Sequence, residues 1–262
     1  MVAAFRQTGW ARFGHDRAVA DWVRHALPTA RQAVTDPALA HWLLCEGTWF
    51  VGVDALDNDA QGRISGSGPL RGRAVEFIRD EIGGIPPLHK AQLSVVYPGY
   101  PKPRAGENEA GFRYRLNRDA AHVDGLLAVG PERRRMVREP HQFILGLPLT
   151  PASPDAAPLV VWEGSHTIMA DAFRAAFAGH DPATLRDVDV TDAYQAARRL
   201  VFERCARVPL PAKPGEAVLV HRHALHGVAP WDASATAGPD GRMIAYFRPE
   251  SPGGLANWLA EQ

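Results

Sequence analysis

The sequence predicts a mainly β protein, a sandwich or barrel with flanking α-helices. Strand-like runs separated by Gly, Pro and Asp fill the chain from Lys90 onward, whereas residues 1–89 mix helical and strand patterns. Many short strands after a helical start are typical of a sandwich or barrel. With 262 residues the chain suits one large domain or two small ones, and we expect a single domain over 1–262.

The first 89 residues are predicted to form a helical and mixed flank. Apolar side chains recur at helical spacing after Asp16, whose carboxylate can cap the first turn. The predicted elements are a helix over 16–33, a short helix over 36–45, a strand over 48–56 and a helix over 71–82.

Residues 90–250 are predicted to form the β core, interrupted by helices at 168–179 and 192–204, which together make an insertion over 168–204. The strand-like runs are "AQLSVVYPGY", "FRYRLNRDAAHVDG", "HQFILGLPLT", "PLVVWEGSH", "RVPLPA", "EAVLVHRH" and "RMIAYFRPE".

Composition narrows the class of partner. The chain has 29 basic and 29 acidic residues, a balance that removes the simplest electrostatic case for binding nucleic acid or an anionic membrane surface. Hydrophobic residues make up 46% of the chain, enough for a substantial core. We therefore expect a small-molecule partner; the sequence leaves the oligomeric state open.

Cysteine usage and the N-terminus indicate the compartment. Cys45 and Cys205 are far apart and lack CxxC spacing, so neither a disulfide scaffold nor a thiolate metal site is expected. Residues 1–10 contain no long apolar stretch, and no run approaches the length of a membrane span. The expectation is a cytoplasmic protein with no membrane segment.

The stretch "AHVDG" supplies two candidate metal ligands. His122 and Asp124 are two residues apart, so on a strand both side chains point to one face. An imidazole with a carboxylate suits Fe(II), Mn(II) or Zn(II), and a remote histidine would complete the two-histidine, one-carboxylate triad.

The stretch "HRHALHG" offers three candidates for the remote histidine. His221 and His223 share a strand face if the strand continues beyond "AVLV", whereas His226 follows a predicted turn and opens a new strand that ends near Pro230. We favour His226 and expect the other two to have structural roles or to orient a ligand.

Taken together, the motifs resemble those of the phytanoyl-CoA dioxygenase-like family of Fe(II)/2-oxoglutarate-dependent oxygenases. The resemblance covers about residues 90–250 and rests on the order of HxD at 122–124, "WEGSH", "KPGEAVLVH", "LHGVAP" and the arginine-led final strand "GRMIAYFRP". In that family the "LHG.GP" sequence carries the distal iron ligand, which maps onto His226.

The resemblance implies a double-stranded β-helix core, a jelly-roll of the cupin kind, with Fe(II) at its mouth and 2-oxoglutarate and O2 as cosubstrates. It also implies a basic residue on the last core strand for the distal carboxylate of 2-oxoglutarate, a place that Arg242 occupies. The insert "WDASATAGPDG" lengthens the interval from His226 to Arg242, and Arg248 shares the same strand face. Lys90 and Gln92 are further candidates for contact with 2-oxoglutarate.

The predicted function is hydroxylation of a small metabolite with release of succinate and CO2, because metal and cosubstrate carry the difficult step and the protein orients them. Two alternatives remain: a zinc-dependent hydrolase or lyase, and a cupin-like module that binds ligand without turnover.

The run "PERRRMVREP" concentrates four arginines just after HxD. These could steer an acidic or phosphorylated substrate toward the mouth. Glu132 and Glu139 lie among them, and the favoured interpretation is a solvated helix face.

Overall fold

Twelve strands and seven α-helices make up residues 1–260 of this computed structural model; the last two residues of the predicted 1–262 domain lie outside the described residues. The strands are β1 (Trp10–Phe13), β2 (Leu43–Leu44), β3 (Trp49–Gly52), β4 (Gln92–Val96), β5 (Leu126–Val129), β6 (Arg134–Val137), β7 (Phe143–Pro148), β8 (Leu159–Trp162), β9 (Arg207–Leu210), β10 (Ala217–His221), β11 (His226–Val228) and β12 (Arg242–Phe247). The helices are α1 (Val2–Thr8), α2 (Arg17–Thr35), α3 (Arg73–Glu81), α4 (Glu109–Asn117), α5 (Ser165–Phe177), α6 (Thr191–Arg204) and α7 (Gly254–Leu259), with 3₁₀ segments at Pro37–Trp42 and Pro182–Asp187.

Two antiparallel sheets form the core. The large sheet has seven strands in the order β1-β10-β7-β12-β4-β3-β2, and the small sheet has three in the order β11-β8-β9. β5 and β6 pair separately as a hairpin. Every residue of β7, β10 and β12 is buried, as expected for central strands that are covered on both faces.

The apolar side chains divide into layers that follow the two-residue period of the strands. One face of the large sheet packs against α2 and α3, through residues such as Trp22 and Ile78. The other face shares a cluster with the small sheet, in which Ile144 and Val220 meet Val161. α5, α6 and α7 cover the outside of the small sheet. The predicted mainly β fold with flanking helices is therefore confirmed.

Most predicted elements are present with shifted ends. α2 occupies the predicted helix over 16–33, and the Asp16 carboxylate accepts a hydrogen bond from the N–H of Ala18 at 2.8 Å. The helix predicted over 36–45 is a 3₁₀ segment followed by β2. Within the insertion predicted over 168–204, the first helix begins earlier, at Ser165.

Two predicted elements are wrong. The run 112–125 begins as α4, because Asn108 caps a helix by accepting from the N–H of Gly111 at 2.8 Å, and the chain then turns before His122. The arginine-rich run is the β5–β6 hairpin rather than a solvated helix face. The turn places Gly130 and Arg133 at positive φ, which lets the two strands fold back on each other.

A close backbone approach joins the segment around 119–122 to β11. The N–H of His122 donates to the carbonyl of His226 at 2.8 Å, and the N–H of His226 donates to the carbonyl of His122 at 3.0 Å. Gly227 follows His226 in β11, and a Cβ added there would stand 2.1 Å from the carbonyl oxygen of Asp119. Glycine at this position therefore allows the two segments to touch.

None of the helices in residues 1–260 combines the length and the apolar character that crossing a bilayer requires.

Replacing Gly227 with Ala is expected to lower the free energy of unfolding by about 1–3 kcal/mol, because the new methyl group must displace a strand-like backbone segment. Urea denaturation followed by circular dichroism measures the change.

The matched control is Gly238→Ala, since a Cβ at Gly238 meets nothing within 4 Å. We expect this control to change the free energy of unfolding by less than about 0.5 kcal/mol. Equal effects of the two substitutions would contradict the close-approach interpretation.

Candidate metal centre

His122, Asp124 and His226 converge on one point. One ligand atom from each residue lies within 4.8 Å of the other two, and within residues 1–260 no other group of His, Cys, Asp and Glu side chains does so. The Nε2 atoms of His122 and His226 stand 3.1 and 3.6 Å from Oδ1 of Asp124. The HxD pair does not lie on a strand as predicted. The backbone bridge to β11 brings its side chains beside His226 instead.

Backbone carbonyls fix the orientation of both imidazoles. Nδ1 of His122 lies 2.9 Å from the carbonyl oxygen of Ala120, and Nδ1 of His226 lies 2.9 Å from that of Ala224. A carbonyl can only accept, so the proton of each neutral ring must sit on Nδ1. The Nε2 lone pairs are thereby left to face Asp124, the arrangement that metal-ligating histidines use.

The electrostatics of the cluster suit a cation. Burial raises the pKa of Asp124, but Arg248 and the two imidazoles outweigh it and hold this pKa well below 3.8. Desolvation lowers the pKa of His122, yet the hydrogen bond and charge of Asp124 outweigh it, so this pKa lies above 6.5. A proton between Nε2 of His122 and the carboxylate of Asp124 offsets the repulsion between the lone pairs of these two groups. A divalent metal ion at the same place would offset it equally well.

Arg248 contacts the carboxylate from the other side. Its Nη1 lies 3.3 Å from Oδ2 of Asp124, whereas Oδ1 faces the imidazoles. The Arg248 side chain is 19% exposed and that of Asp124 is 10% exposed, so water screens this pair only partly. The arrangement leaves one carboxylate oxygen for a metal ion.

A cavity of about 940 Å³ opens beside the cluster and is lined by His122, Asp124 and Arg248. The His122 side chain is 46% exposed toward this space, whereas only 7% of the His226 side chain is exposed. A volume of this size accommodates a small molecule next to the candidate metal position.

Arg242 is buried on the first residue of β12 with no partner for its charge. None of its guanidinium nitrogens has a hydrogen-bond partner within residues 1–260. Tyr246 lies four residues further along β12 and therefore on the same strand face. Its hydroxyl faces the Arg242 guanidinium and also has no hydrogen-bond partner within residues 1–260. A buried guanidinium without an acceptor is costly, so this place suits an anionic ligand.

The other two predicted contacts lie on β4 and just before it. Gln92 is opposite Tyr246 in the β4–β12 register, so it shares the sheet face of Arg242. Lys90 lies outside the large cavity, and its ammonium forms a 2.7 Å ion pair with Asp57 on an exposed surface. The role of Lys90 stays a prediction, and Asp57 competes for its charge.

His221 and His223 are buried apart from the cluster. β10 ends at His221, and the chain then turns, with the N–H of Ala224 donating to the carbonyl of His221 at 2.8 Å. Burial holds the pKa of both imidazoles well below 6.5. Their rings contact His166, Phe173 and Trp258, so they pack as neutral aromatic side chains.

Some residues of the cavity wall escaped the sequence analysis. Tyr194 and Arg198 of α6 line the cavity, yet α6 follows the HxD motif by more than 60 residues and carries no motif of its own. The arginine-rich run after HxD did carry a signal, because its Arg133 and Arg135 line the cavity.

Comparison with known proteins identifies the fold. No protein-family profile matches the chain, and no curated protein matches it. The crystal structure of EctD from S. alaskensis with 2-oxoglutarate and 5-hydroxyectoine is similar over 98% of this chain and 76% of that one, with 18% identity and a TM-score of 0.51. The predicted jelly-roll, cupin-like core is confirmed by this likeness.

A second solved structure covers the chain nearly completely at lower similarity. It is the non-heme alpha ketoglutarate dependent carbocyclase SnoK from nogalamycin biosynthesis, with 14% identity, a TM-score of 0.47, and coverage of 99% of this chain and 89% of that one.

Replacing His226 with Ala is expected to weaken Mn(II) binding at least about 100-fold, because the substitution removes one of three converging ligand atoms. Isothermal titration calorimetry of metal-free protein measures the affinity.

His221→Ala is the control, since His221 lies in the separate aromatic cluster. Its loss is expected to cost stability while leaving the Mn(II) affinity within about threefold, less than 1 kcal/mol. Loss of Mn(II) binding in His221→Ala with retention in His226→Ala would reassign the third ligand to His221.

Proposed function

We propose that this protein is a non-haem Fe(II)/2-oxoglutarate-dependent oxygenase of the phytanoyl-CoA dioxygenase-like kind, which hydroxylates a small-molecule metabolite. The observation that carries the proposal is the pairing of two sites in one jelly-roll. One is a His-Asp-His cluster with lone pairs aimed at a common point, and the other is a buried guanidinium without an anion.

The donor set fits ferrous iron. Two neutral imidazoles and one carboxylate form the facial triad of non-haem Fe(II) oxygenases, which leaves half of an octahedral sphere for other ligands. We assign His122, Asp124 and His226 as the three protein ligands. No cysteine contributes to the cluster, and the cavity on the exposed side of His122 leaves room for a substrate.

The buried guanidinium fits the distal carboxylate of 2-oxoglutarate. Arg242 can donate two parallel hydrogen bonds to one carboxylate, and the Tyr246 hydroxyl can donate a third. Gln92 is the next candidate for the cosubstrate pocket, because it faces Tyr246 across the β4–β12 pair. The fold relative EctD was solved with 2-oxoglutarate, which supports this assignment by analogy.

Iron with 2-oxoglutarate and O2 would supply oxidative decarboxylation to succinate and CO2, and oxygen transfer to a substrate C–H bond. The chain's own residues bind and orient. Ala120 and Ala224 hold the imidazoles with Nε2 exposed to the metal position, and Arg248 holds the Oδ2 of Asp124 so that Oδ1 stays directed there.

The proposed reaction is expected to appear as succinate formed from 2-oxoglutarate, with ferrous iron and ascorbate under air, even before the substrate is known. Asp124→Ala should abolish succinate formation while the circular dichroism spectrum stays unchanged, because a carboxylate at a cavity wall adds little to core packing.

The same assay decides against the alternatives. Hydrolysis supported by zinc without oxygen uptake would replace the proposal with a zinc hydrolase. Protein that binds neither iron nor 2-oxoglutarate would indicate a binding module of the cupin kind.

Replacing Arg242 with Gln is expected to raise the 2-oxoglutarate concentration for half-maximal succinate formation about tenfold or more, because one bidentate charged contact is lost. The comparison variant is Arg248→Gln, which should lower the maximal rate or the iron affinity and leave the 2-oxoglutarate requirement nearly unchanged. The reverse pattern would assign the cosubstrate carboxylate to Arg248.

A further inference from the structure

The cavity beside the candidate metal centre carries an excess of positive charge. Six arginines line it, against three acidic residues, Glu107, Asp124 and Glu139. Glu107 is paired with Arg115 at 2.5 Å, Asp124 is held by Arg248, and Glu139 stands 3.3 Å from His141. The acidic residues of the wall are therefore already engaged.

Three of the remaining cavity arginines have no carboxylate beside them within residues 1–260. Many guanidinium groups elsewhere in the described residues do pair with carboxylates, as Arg12 does with Glu216 and Arg207 with Asp119. By contrast, Arg133, Arg135 and Arg198 have no carboxylate within 4.0 Å in the part of the chain that the structure describes. The chain as a whole carries no net formal charge, so this local excess is not a general surplus of basic residues.

Arg198 is held next to the metal ligands by two tyrosines. Its guanidinium carbon lies 4.8 Å from the ring centroid of Tyr114 and 5.3 Å from that of Tyr194. The Tyr114 hydroxyl donates to the carbonyl of Ala121 at 2.8 Å, and the Tyr194 hydroxyl faces the N–H of Val123. Residues 121 and 123 flank His122. The two tyrosines that contact Arg198 therefore also contact the backbone on either side of this candidate ligand.

Arg135 reaches the same place from the β5–β6 hairpin. Its N–H donates to the hydroxyl of Thr191 at 2.6 Å, and its carbonyl accepts from the N–H of Val190 at 2.9 Å, so the hairpin is fastened to the start of α6. Burial raises the pKa of Tyr194, and the charges of Arg198 and Arg135 both oppose that rise. The Arg135 guanidinium donates to the carbonyl of Leu126 at 3.2 Å, and Arg135 and Arg198 line the same cavity. An anion bound in that cavity would therefore be attracted by both charges.

We propose that the substrate carries an anionic group, a phosphate or a carboxylate, which Arg198 and Arg135 bind inside the cavity. Arg133, exposed at the turn of the hairpin, adds positive potential at the entrance. The inference rests on the proposed function, because it places the reactive part of an acidic metabolite between this pair of cations and the metal. The site is distinct from the buried Arg242, which does not line this cavity.

Binding of inorganic phosphate and of malonate to metal-free protein tests the inference without iron, 2-oxoglutarate or turnover. Isothermal titration calorimetry at low ionic strength is expected to give binding of at least one of the two anions, weakened by added sodium chloride. Arg198→Gln and Arg135→Gln should each weaken that binding about tenfold or more, since each removes a hydrogen bond to a charged group.

Two controls separate this site from others. Arg199→Gln removes the neighbouring exposed arginine of α6, which does not line the cavity, and should leave the affinity unchanged. Arg198→Lys retains the charge and should bind better than Arg198→Gln, which guards against a folding defect.

Undetectable binding of both anions, or binding that survives in Arg198→Gln and Arg135→Gln, would overturn the inference. Binding lost only in Arg242→Gln would also overturn it, because the anion would then occupy the proposed cosubstrate place. Retained anion binding in a protein that makes no succinate would leave the anion site standing and would count against the proposed oxygenase function alone.

Discussion

The pair of hydrogen bonds between the backbones of His122 and His226 is the constraint on which the site depends. These residues are more than 100 positions apart, and neither belongs to a long strand in the large sheet. The exchange of N–H and carbonyl groups fixes their separation at the level of the backbone, before any side chain is considered. With the backbones joined, the carbonyls of Ala120 and Ala224 need only turn each ring to bring the two Nε2 atoms to Asp124.

The layers of the fold make that junction rigid. The large sheet is covered by α2 and α3 on one face and by the small sheet on the other, while α5, α6 and α7 close the outside of the small sheet. β11, which carries His226, pairs with β8 in the small sheet along its whole length. His226 therefore stands on a strand of the packed small sheet, and His122 is tied to that strand by the two backbone hydrogen bonds, although HxD itself lies between α4 and β5. Support from rigid elements helps a site to keep its geometry.

Patterns of a few residues were sufficient to predict much of this molecule. The alternation in "EAVLVH" and the period in 16–33 are local signals, and both elements are present. The ligand set could be proposed because HxD and the glycine after His226 are compact motifs, and the structure brings those three side chains together. The alternation of apolar and arginine residues at 112–116 led to the wrong prediction of a strand. The same residues form a half-buried helix, which Asn108 caps.

What the sequence could not supply were contacts between distant segments. The fastening of the β5–β6 hairpin to α6 turns an arginine-rich run into a cavity wall, and nothing in the run itself specifies that partner. In the same way, Arg242 begins β12 and is buried without a partner among the described residues, whereas Arg248 follows the last residue of β12 and contacts Asp124. Tertiary placement, rather than residue type, gives each arginine its role.

The long segment between β11 and β12 lies outside the two core sheets. The backbone N–H of Trp231 donates to the carbonyl of Tyr100 at 2.8 Å, and Ala237 forms a β-bridge with Ala152. Arg31 of α2 forms an ion pair with Asp240 at 2.7 Å. These contacts hold the segment along the surface, while β12 keeps its register with β4. The number of residues between His226 and Arg242 can consequently change without moving either side chain, because the added chain runs along the surface. A search that demands a fixed interval between a histidine and an arginine would pass over proteins built this way, whereas a comparison of folded shapes would find them.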